Sequence, residues 1–243
     1  MARLFGAAAL PRLGAAQVCV VGVGGVGSWA VEALARSAVG HLTLIDMDHV
    51  AESNINRQLP ALDSTLGRAK VEVLAERIRD INPACRITLI DDFVTADNLD
   101  QLLLAEYGFV LDCIDNFRTK AALIAHCRRR RQPVITAGGA GGRSDPTRVR
   151  VSDLSRTLQD PLLARTRKAL RQGYGFPSNP RRRFEVAAAW SDEPLGQADL
   201  ACDVGAAGLS CAGLGSLMPV TAAIGLAMAG HVVRKLVAES RGT

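Results

Sequence analysis

A glycine cluster, Gly22-Val23-Gly24-Gly25-Val26-Gly27, is followed by an ordered set of polar side chains: Asp46, Asp48, Asn54, Arg57, Gln58 and Lys70. Gly22, Gly24 and Gly27 satisfy the G-x-G-x-x-G spacing. In such a turn the backbone N–H groups can meet a phosphate because no Cβ stands between them. Asp46 lies 19 residues beyond Gly27, near the distance expected of a carboxylate that holds a ribose hydroxyl. The glycine pattern alone indicates a nucleotide without saying which. A dinucleotide brings one pyrophosphate and a reacting ring that needs an uncharged pocket. Cations and spare carboxylates around a phosphate turn fit a triphosphate with a metal ion better. Taken singly, Arg57 and Lys70 read as solvated surface cations and Asp48 as a loop cap. Taken in order, they read as a site.

These residues need a scaffold, and the apolar pattern supplies one. Val18-Cys19-Val20-Val21 leads into the glycine turn as a strand, and a helical pattern with Trp29, Ala30, Ala33 and Leu34 on one side leaves it. A second strand, Leu42 to Ile45, delivers Asp46. Val71, Leu74, Ile78 and Ile81 recur at three- and four-residue steps and predict a helix from Thr65 to Ile81, stopped by Asn82-Pro83. Further strands are expected at Arg86–Ile90, Phe109–Leu111 and Pro133–Thr136, with helices near Asp97–Ala105 and over Lys120–Arg131. This alternation implies an α/β fold: a Rossmann-like, doubly wound, mainly parallel sheet covered on both faces. Its ligands bind at the carboxyl ends of the strands. Asp46, Asp115 and a second glycine-rich turn, Gly138-Gly139-Ala140-Gly141-Gly142, are expected there.

From about Arg143 to Asp203 the rhythm is lost. The expectation is one domain, 1–243, carrying 143–203 as an inserted, basic, partly mobile segment with weak order around 173–198. Val204 to Val233 contains no Asp, Glu, Lys or Arg, long enough to cross a bilayer. Pro219 and six glycines interrupt it, so a buried helix packed on the sheet or on a second subunit is expected instead of a membrane span.

Bulk composition is that of an ordinary globular chain of 243 residues, 48% hydrophobic and 22% charged. No signal peptide is visible. Six cysteines without a C-x-x-C pair argue against a zinc ribbon and for buried free thiols in a reducing, cytoplasmic setting. The net charge of +5 is uneven: residues 118–183 hold 17 Lys/Arg against three Asp, a local net of +14. Such a segment points to a polyanionic partner.

The runs VVGVGGVGSWAVEALARS (20–37), LTLIDMDHV (42–50), SNINRQ (53–58), GRAKVEVLAERIRDINP (67–83), DDFVT (91–95), LDCIDN (111–116), AALIAHCRR (121–129) and TAGGAGG (136–142) carry a family resemblance. With them the chain resembles the ubiquitin-activating-enzyme-like adenylating superfamily, and within it the bacterial tRNA threonylcarbamoyladenosine dehydratases. The match covers most of the chain and is poorest over 143–203. It implies ATP held by Gly22, Gly24 and Gly27, with Asp46 on the ribose and Asn54, Arg57, Gln58 and Lys70 on the phosphates. Gly25, Asp48, Asp92 and Asn116 are further nucleotide-binding candidates. It also implies Mg²⁺ on Asp115, and Na⁺ or K⁺ as a further cation. Arg57, Lys70, Asp115 and Cys211 are the catalytic candidates. Cys211 is the weakest, because ring closure needs only the substrate's own nucleophile.

The implied partners are a tRNA carrying threonylcarbamoyladenosine, a second copy of the chain that lends an arginine in trans, and a sulfur-transfer protein of the cysteine desulfurase system. A membrane is not among them. The alternative within the superfamily is adenylation of the C-terminus of a ubiquitin-like sulfur carrier, which the missing C-x-x-C pairs disfavour. An NAD-dependent oxidoreductase would rest on the glycine turn alone. A non-catalytic, nucleotide-sensing tRNA-binding module is the remaining reading.

Overall fold

The computed structural model describes residues 1–104, 106–195 and 214–238. Seven strands form one sheet: β1 (Gln17–Val21), β2 (His41–Ile45), β3 (Arg86–Ile90), β4 (Phe109–Asp112), β5 (Val134–Ala137), β6 (Val149–Asp153) and β7 (Ala187–Ser191). Their order is β3-β2-β1-β4-β5-β7-β6. All neighbours are parallel except β6 and β7. The order reverses between β1 and β4, and the crevice that such a reversal opens is where doubly wound sheets bind ligands.

Alternate residues of the central strands feed two cores. Val18 and Val20 of β1 join α3 (Gly27–Arg36), α4 (Lys70–Ile81) and the C-terminal helix α8 (Met218–Ala238) on one face. Cys19 and Val21 join α5 (Leu99–Leu102), α6 (Phe117–Arg129) and α7 (Pro161–Gly173) on the other. Two short helices, α1 (Ala2–Phe5) and α2 (Ala9–Ala15), precede β1. Among the described residues α8 is the one helix long and apolar enough to cross a membrane, and half of its most apolar window is buried. Val220, Ile224, Met228 and Val232 lie in the first core, as expected of a buried helix.

Three boundaries differ from expectation. The helix expected from Thr65 begins at Lys70, because Gly67 takes a φ of +80° and Ala69 pairs with His49 in an antiparallel bridge. The helix near 97–105 is one turn, Leu99–Leu102. The helix expected from Lys120 starts at Phe117, since Asn116 Oδ1 accepts from the N–H groups of Arg118 and Thr119.

The stretch expected to be a loose insertion instead continues the sheet. β6 and β7 pair in antiparallel register, β7 docks in parallel on β5, and α7 lies between them in sequence. β6 carries Arg150, Ser152 and Asp153 on a half-exposed edge, and β7 opens with three alanines. Neither has the apolar run that marks a central strand. Residues 196–198 of the segment expected to be weakly ordered lie outside the described residues. Cys19, Cys85 and Cys127 are buried free thiols and Cys113 is half-buried. The charge excess of 118–183 is not all on the surface: Lys120 and Arg143 are buried beside Asp112 and Asp160.

Candidate active site

A cavity of about 560 Å³ lies over the carboxyl ends of β1, β2, β4 and β5, within the usual range for a small-molecule site. Gly22, Gly24 and Gly25 face it from the turn after β1, with Asp46 and Asp48 after β2. Asn54, Arg57 and Gln58 come from the connection to α4, Lys70 from the first position of α4, Asp92 from beyond β3, and Asp115 and Asn116 from beyond β4. The three groups on which a triphosphate site depends, Arg57, Lys70 and Asp115, therefore share one space. Gly27, expected to contact the nucleotide, does not line it. It is buried at the start of α3, where a Cβ would stand 1.9 Å from Gly22 O, so it serves the tight return of the chain beneath the turn.

The turn is fixed from below. Asp46 Oδ2 accepts from Val23 N at 2.7 Å and Oδ1 from Asp48 N at 2.9 Å. Burial pushes the Asp46 carboxyl up, and these two N–H groups oppose that without cancelling it. Each oxygen keeps a lone pair for a ligand hydroxyl. Lys70 is only 4% exposed, yet Nζ meets Asp48 Oδ2 at 2.8 Å. As the first residue of α4, it is delivered to the rim by the bend at Gly67.

Arg57 lies along the turn, its Cγ 3.5 Å from where a Gly25 Cβ would be. Its carbonyl accepts from Trp29 Nε1 at 3.1 Å and its Nη1 donates to Ser53 O at 2.7 Å. Gln58 is buried against Gly24, and its Oε1 has no partner among the described residues. Asn54 Oδ1 is used on Ala51 N at 3.1 Å and Asn116 Oδ1 on capping α6, so their amide N–H groups are what they offer a ligand. Asp92 Oδ1 accepts from Phe93 N at 2.7 Å.

Sequence reasoning missed what lies beneath and beside this site. Lys120 and Asp112 are a fully buried pair, Nζ to Oδ2 2.9 Å, with Thr136 Oγ1 bonded to both at 3.0 and 2.7 Å. Asp112 Oδ1 accepts from Ile114 N at 3.2 Å, which ties the pair to the loop that presents Asp115. The available signals were a carboxylate closing an apolar strand and a lysine on the buried face of α6. Cys113 faces the cavity, but burial pushes its thiol up to about 12, so it stays protonated and unreactive. Cys211 lies outside the described residues.

At the end of β5 the same cavity is lined by Gly138, Gly139, Ala140, Gly141, Arg143 and Asp160. Asp160 caps α7 through Leu163 N at 2.9 Å and accepts from Gly139 N at 3.0 Å. Arg143, 4% exposed, donates to Gln159 O at 2.6 Å and to Gly139 O. The Asp160-Pro161 start of α7 was legible as a helix cap. Nothing in the sequence links it to Arg143.

Among the described residues no group of three or more His, Cys, Asp or Glu could enclose a metal ion. One carboxylate beside a phosphate turn instead suits Mg²⁺, which binds through one or two carboxylates, water and the phosphates themselves.

Residues 1–242 match the ThiF family. The chain is 49% identical over 237 residues to the tRNA threonylcarbamoyladenosine dehydratase of Haemophilus influenzae, covering 96% of this chain and 90% of that one. It is 48% identical over 248 residues to the Escherichia coli dehydratase of the same name, covering 98% and 92%. A crystal structure of the E. coli dehydratase in complex with ATP superposes with a TM-score of 0.90 at 47% identity, again over 98% of this chain and 93% of that one. With its glycine turn, Arg57, Lys70 and Asp115 around one cavity of a doubly wound sheet, and a family match over residues 1–242, this chain belongs to the ThiF family.

Proposed function

We propose that this protein uses ATP to adenylate the carboxylate of the threonylcarbamoyl group on an adenosine of tRNA, then closes that group into a ring with release of AMP. The observation that carries this reading is the single cavity in which the phosphate turn, Arg57, Lys70 and Asp115 meet, in a chain that matches dehydratases over nearly their whole length. That length favours the dehydratase reading over activation of a sulfur carrier.

A carboxylate is a poor electrophile until a good leaving group replaces its oxide. One carboxylate oxygen bonds to the α-phosphorus and pyrophosphate departs. The carbamoyl group then attacks the acyl carbon and loses its proton, and AMP leaves with that carboxylate oxygen. Charge grows on the phosphate oxygens in the first step, where the Arg57 guanidinium and the Lys70 ammonium can offset it. Asp46 orients the nucleoside, and Gln58 and Asn54 offer amide donors to the phosphates. Asp115 would hold Mg²⁺, which supplies neutralisation of phosphate charge when bound.

The exposed cations Arg129, Arg131, Lys168, Arg181, Arg182 and Arg183 provide the field for tRNA. Exposed Ile55, Leu62 and Leu66, on the connection that also carries Asn54, Arg57 and Gln58, accord with a second copy of the chain packing there. The test is ATP–pyrophosphate exchange. Exchange should appear with tRNA carrying threonylcarbamoyladenosine and be absent with unmodified tRNA. Exchange driven instead by a carrier's C-terminal glycine peptide would refute the assignment.

A further inference from the structure

The wall of the cavity at the end of β5 has no part in holding ATP as described above, yet its backbone is held by specific buried contacts. Across the sheet, Asp92 follows β3, Asp46 follows β2, the phosphate turn follows β1 and Asp115 follows β4. The turn 138–142 follows β5, the next strand along, on the side away from the ribose. A carboxylate approaching the α-phosphorus from that side would meet this turn.

Most of the turn's backbone is already committed. Gly138 N donates to Ala189 O at 2.8 Å, Gly139 N to Asp160 Oδ2 at 3.0 Å and Gly142 N to Gly215 O at 3.0 Å. Gly139 O accepts from Arg143. The N–H groups of Ala140 and Gly141, at the tip, have no partner among the described residues, although both residues are buried and line the cavity. Buried backbone donors are nearly always paired, so two adjacent ones without a partner among the described residues, in residues that line a cavity, mark a place for an acceptor.

The support behind the turn is equally specific. Arg143 and Asp160 have side-chain exposures of 1% and 0% and together clamp Gly139 by both its N–H and its carbonyl. A Cβ on Gly138 would stand 2.2 Å from Asp160 Oδ2, so glycine is required for this carboxylate to sit there. Arg143 Nε is buried without a partner among the described residues. An unmatched guanidinium N–H is a cost that a purely structural pair would have no reason to keep.

We infer that the turn 138–142 is the acyl-oxygen site of the adenylation and ring-closing steps. The N–H groups of Ala140 and Gly141 receive the substrate's carboxylate oxygen, and later the oxyanion that forms on the acyl carbon when the carbamoyl group attacks. Arg143, through Asp160 and Gly139, is a positioning residue for those donors. This inference rests on the adenylation reading above. Donors aimed at an oxygen that gains charge act on the chemical step and not on nucleotide affinity.

The experiment measures three quantities for the wild type, R143A and R143K: MgATP affinity by calorimetry, thermal unfolding, and kcat and KM for AMP formation with threonylcarbamoyladenosine-bearing tRNA. For R143A the expected result is a kcat about 10- to 100-fold lower, the scale of a misplaced reacting group, with ATP affinity within twofold of wild type. R143K keeps the charge beside Asp160 but cannot bridge two carbonyls, so its kcat should fall between the two. If R143A does not fold, R143K decides: a reduced kcat at unchanged ATP affinity supports the inference, and an unchanged kcat overturns it. Equal losses in ATP affinity and kcat would also overturn it, because they would make Arg143 merely structural. A wild type that forms no AMP with modified tRNA would instead refute the adenylation reading itself.

Discussion

Gly27→Ala tests whether the glycine turn is held as described. A Cβ at position 27 would lie 1.9 Å from Gly22 O, 3.0 Å from Gly22 C and 3.3 Å from Cys113 Cβ. Carbon–oxygen approaches ordinarily stop at about 3.3 Å, so roughly 1.4 Å of room is missing. The main obstacle is the Gly22 backbone, which cannot rotate away as a side-chain tip could. Overpacking of this kind costs about 3 kcal/mol at the upper end of its range. Alanine in place of glycine near a helix start returns at most about 1 kcal/mol, leaving a net loss of about 2 kcal/mol. For a domain of this size that lowers the melting temperature by about 4–8 °C. Because the strain is relieved by moving Gly22, MgATP affinity should fall at least tenfold, on the order of a misplaced positioning group.

Gly24→Ala is the control. Its Cβ would meet Gln58 Nε2 at 3.6 Å, an ordinary contact, and Gly24 has no positive φ. Its stability should stay within about 0.5 kcal/mol of wild type, while the methyl group between the turn and Gln58 weakens ATP binding. Thermal unfolding and isothermal titration with MgATP decide both cases. A Gly27→Ala protein that melts with the wild type and binds ATP equally well would show that the turn is not packed as read.

Two further perturbations probe the supports. Lys120→Met orphans the buried Asp112 carboxylate and should cost about 3–5 kcal/mol in urea unfolding, whereas the neutral double variant D112N/K120M should lose far less; similar losses in both would refute an ion-pair origin. Asp153 is a test by pH: burial alone would raise its carboxyl, but hydrogen bonds from Ser155, Phe184 and Glu185 outweigh that and hold it below the usual value. Its contribution is therefore fully present above the unfolded carboxylate range, near pH 4, and is lost as pH falls through the lower folded value. Asp153→Asn should flatten the acid limb of a stability-against-pH curve below about pH 4, and an unchanged limb would exclude the residue as a cause.

The glycine-turn half of the candidate site was legible because its determinants are local. A strand, a glycine turn and a helix are consecutive in the chain, and Asp46 follows at a fixed spacing because one helix and one strand separate it from Gly27. Lys70 was legible as a site residue but not as a helix start, because the bend at Gly67 and the bridge from Ala69 to His49 are tertiary features that apolar periodicity does not report. Gly27 fitted the motif for a reason other than contact with phosphate. The fold class followed from strand–helix alternation as far as β5.

Beyond β5 the logic of the chain changes. β6 is a half-exposed edge and β7 is rich in alanine, so neither announces itself by hydrophobicity, and what they hold is assembled from distant positions. Arg143 meets Asp160 across 17 residues, and Asp160 in turn reaches back to Gly138 and Gly139. This asymmetry has a physical basis. A phosphate carries its charge to any protein that offers bare N–H groups, so one contiguous motif suffices. An acyl group must be placed within a bond length of a particular phosphorus, and that requires a wall whose position is fixed by several segments at once. A carbonyl gripped by a buried guanidinium, and an N–H gripped by a buried carboxylate, leave the Gly138–Gly139 backbone little freedom to drift. The residues hardest to find in the sequence are therefore the ones that hold the proposed acyl-oxygen site in place.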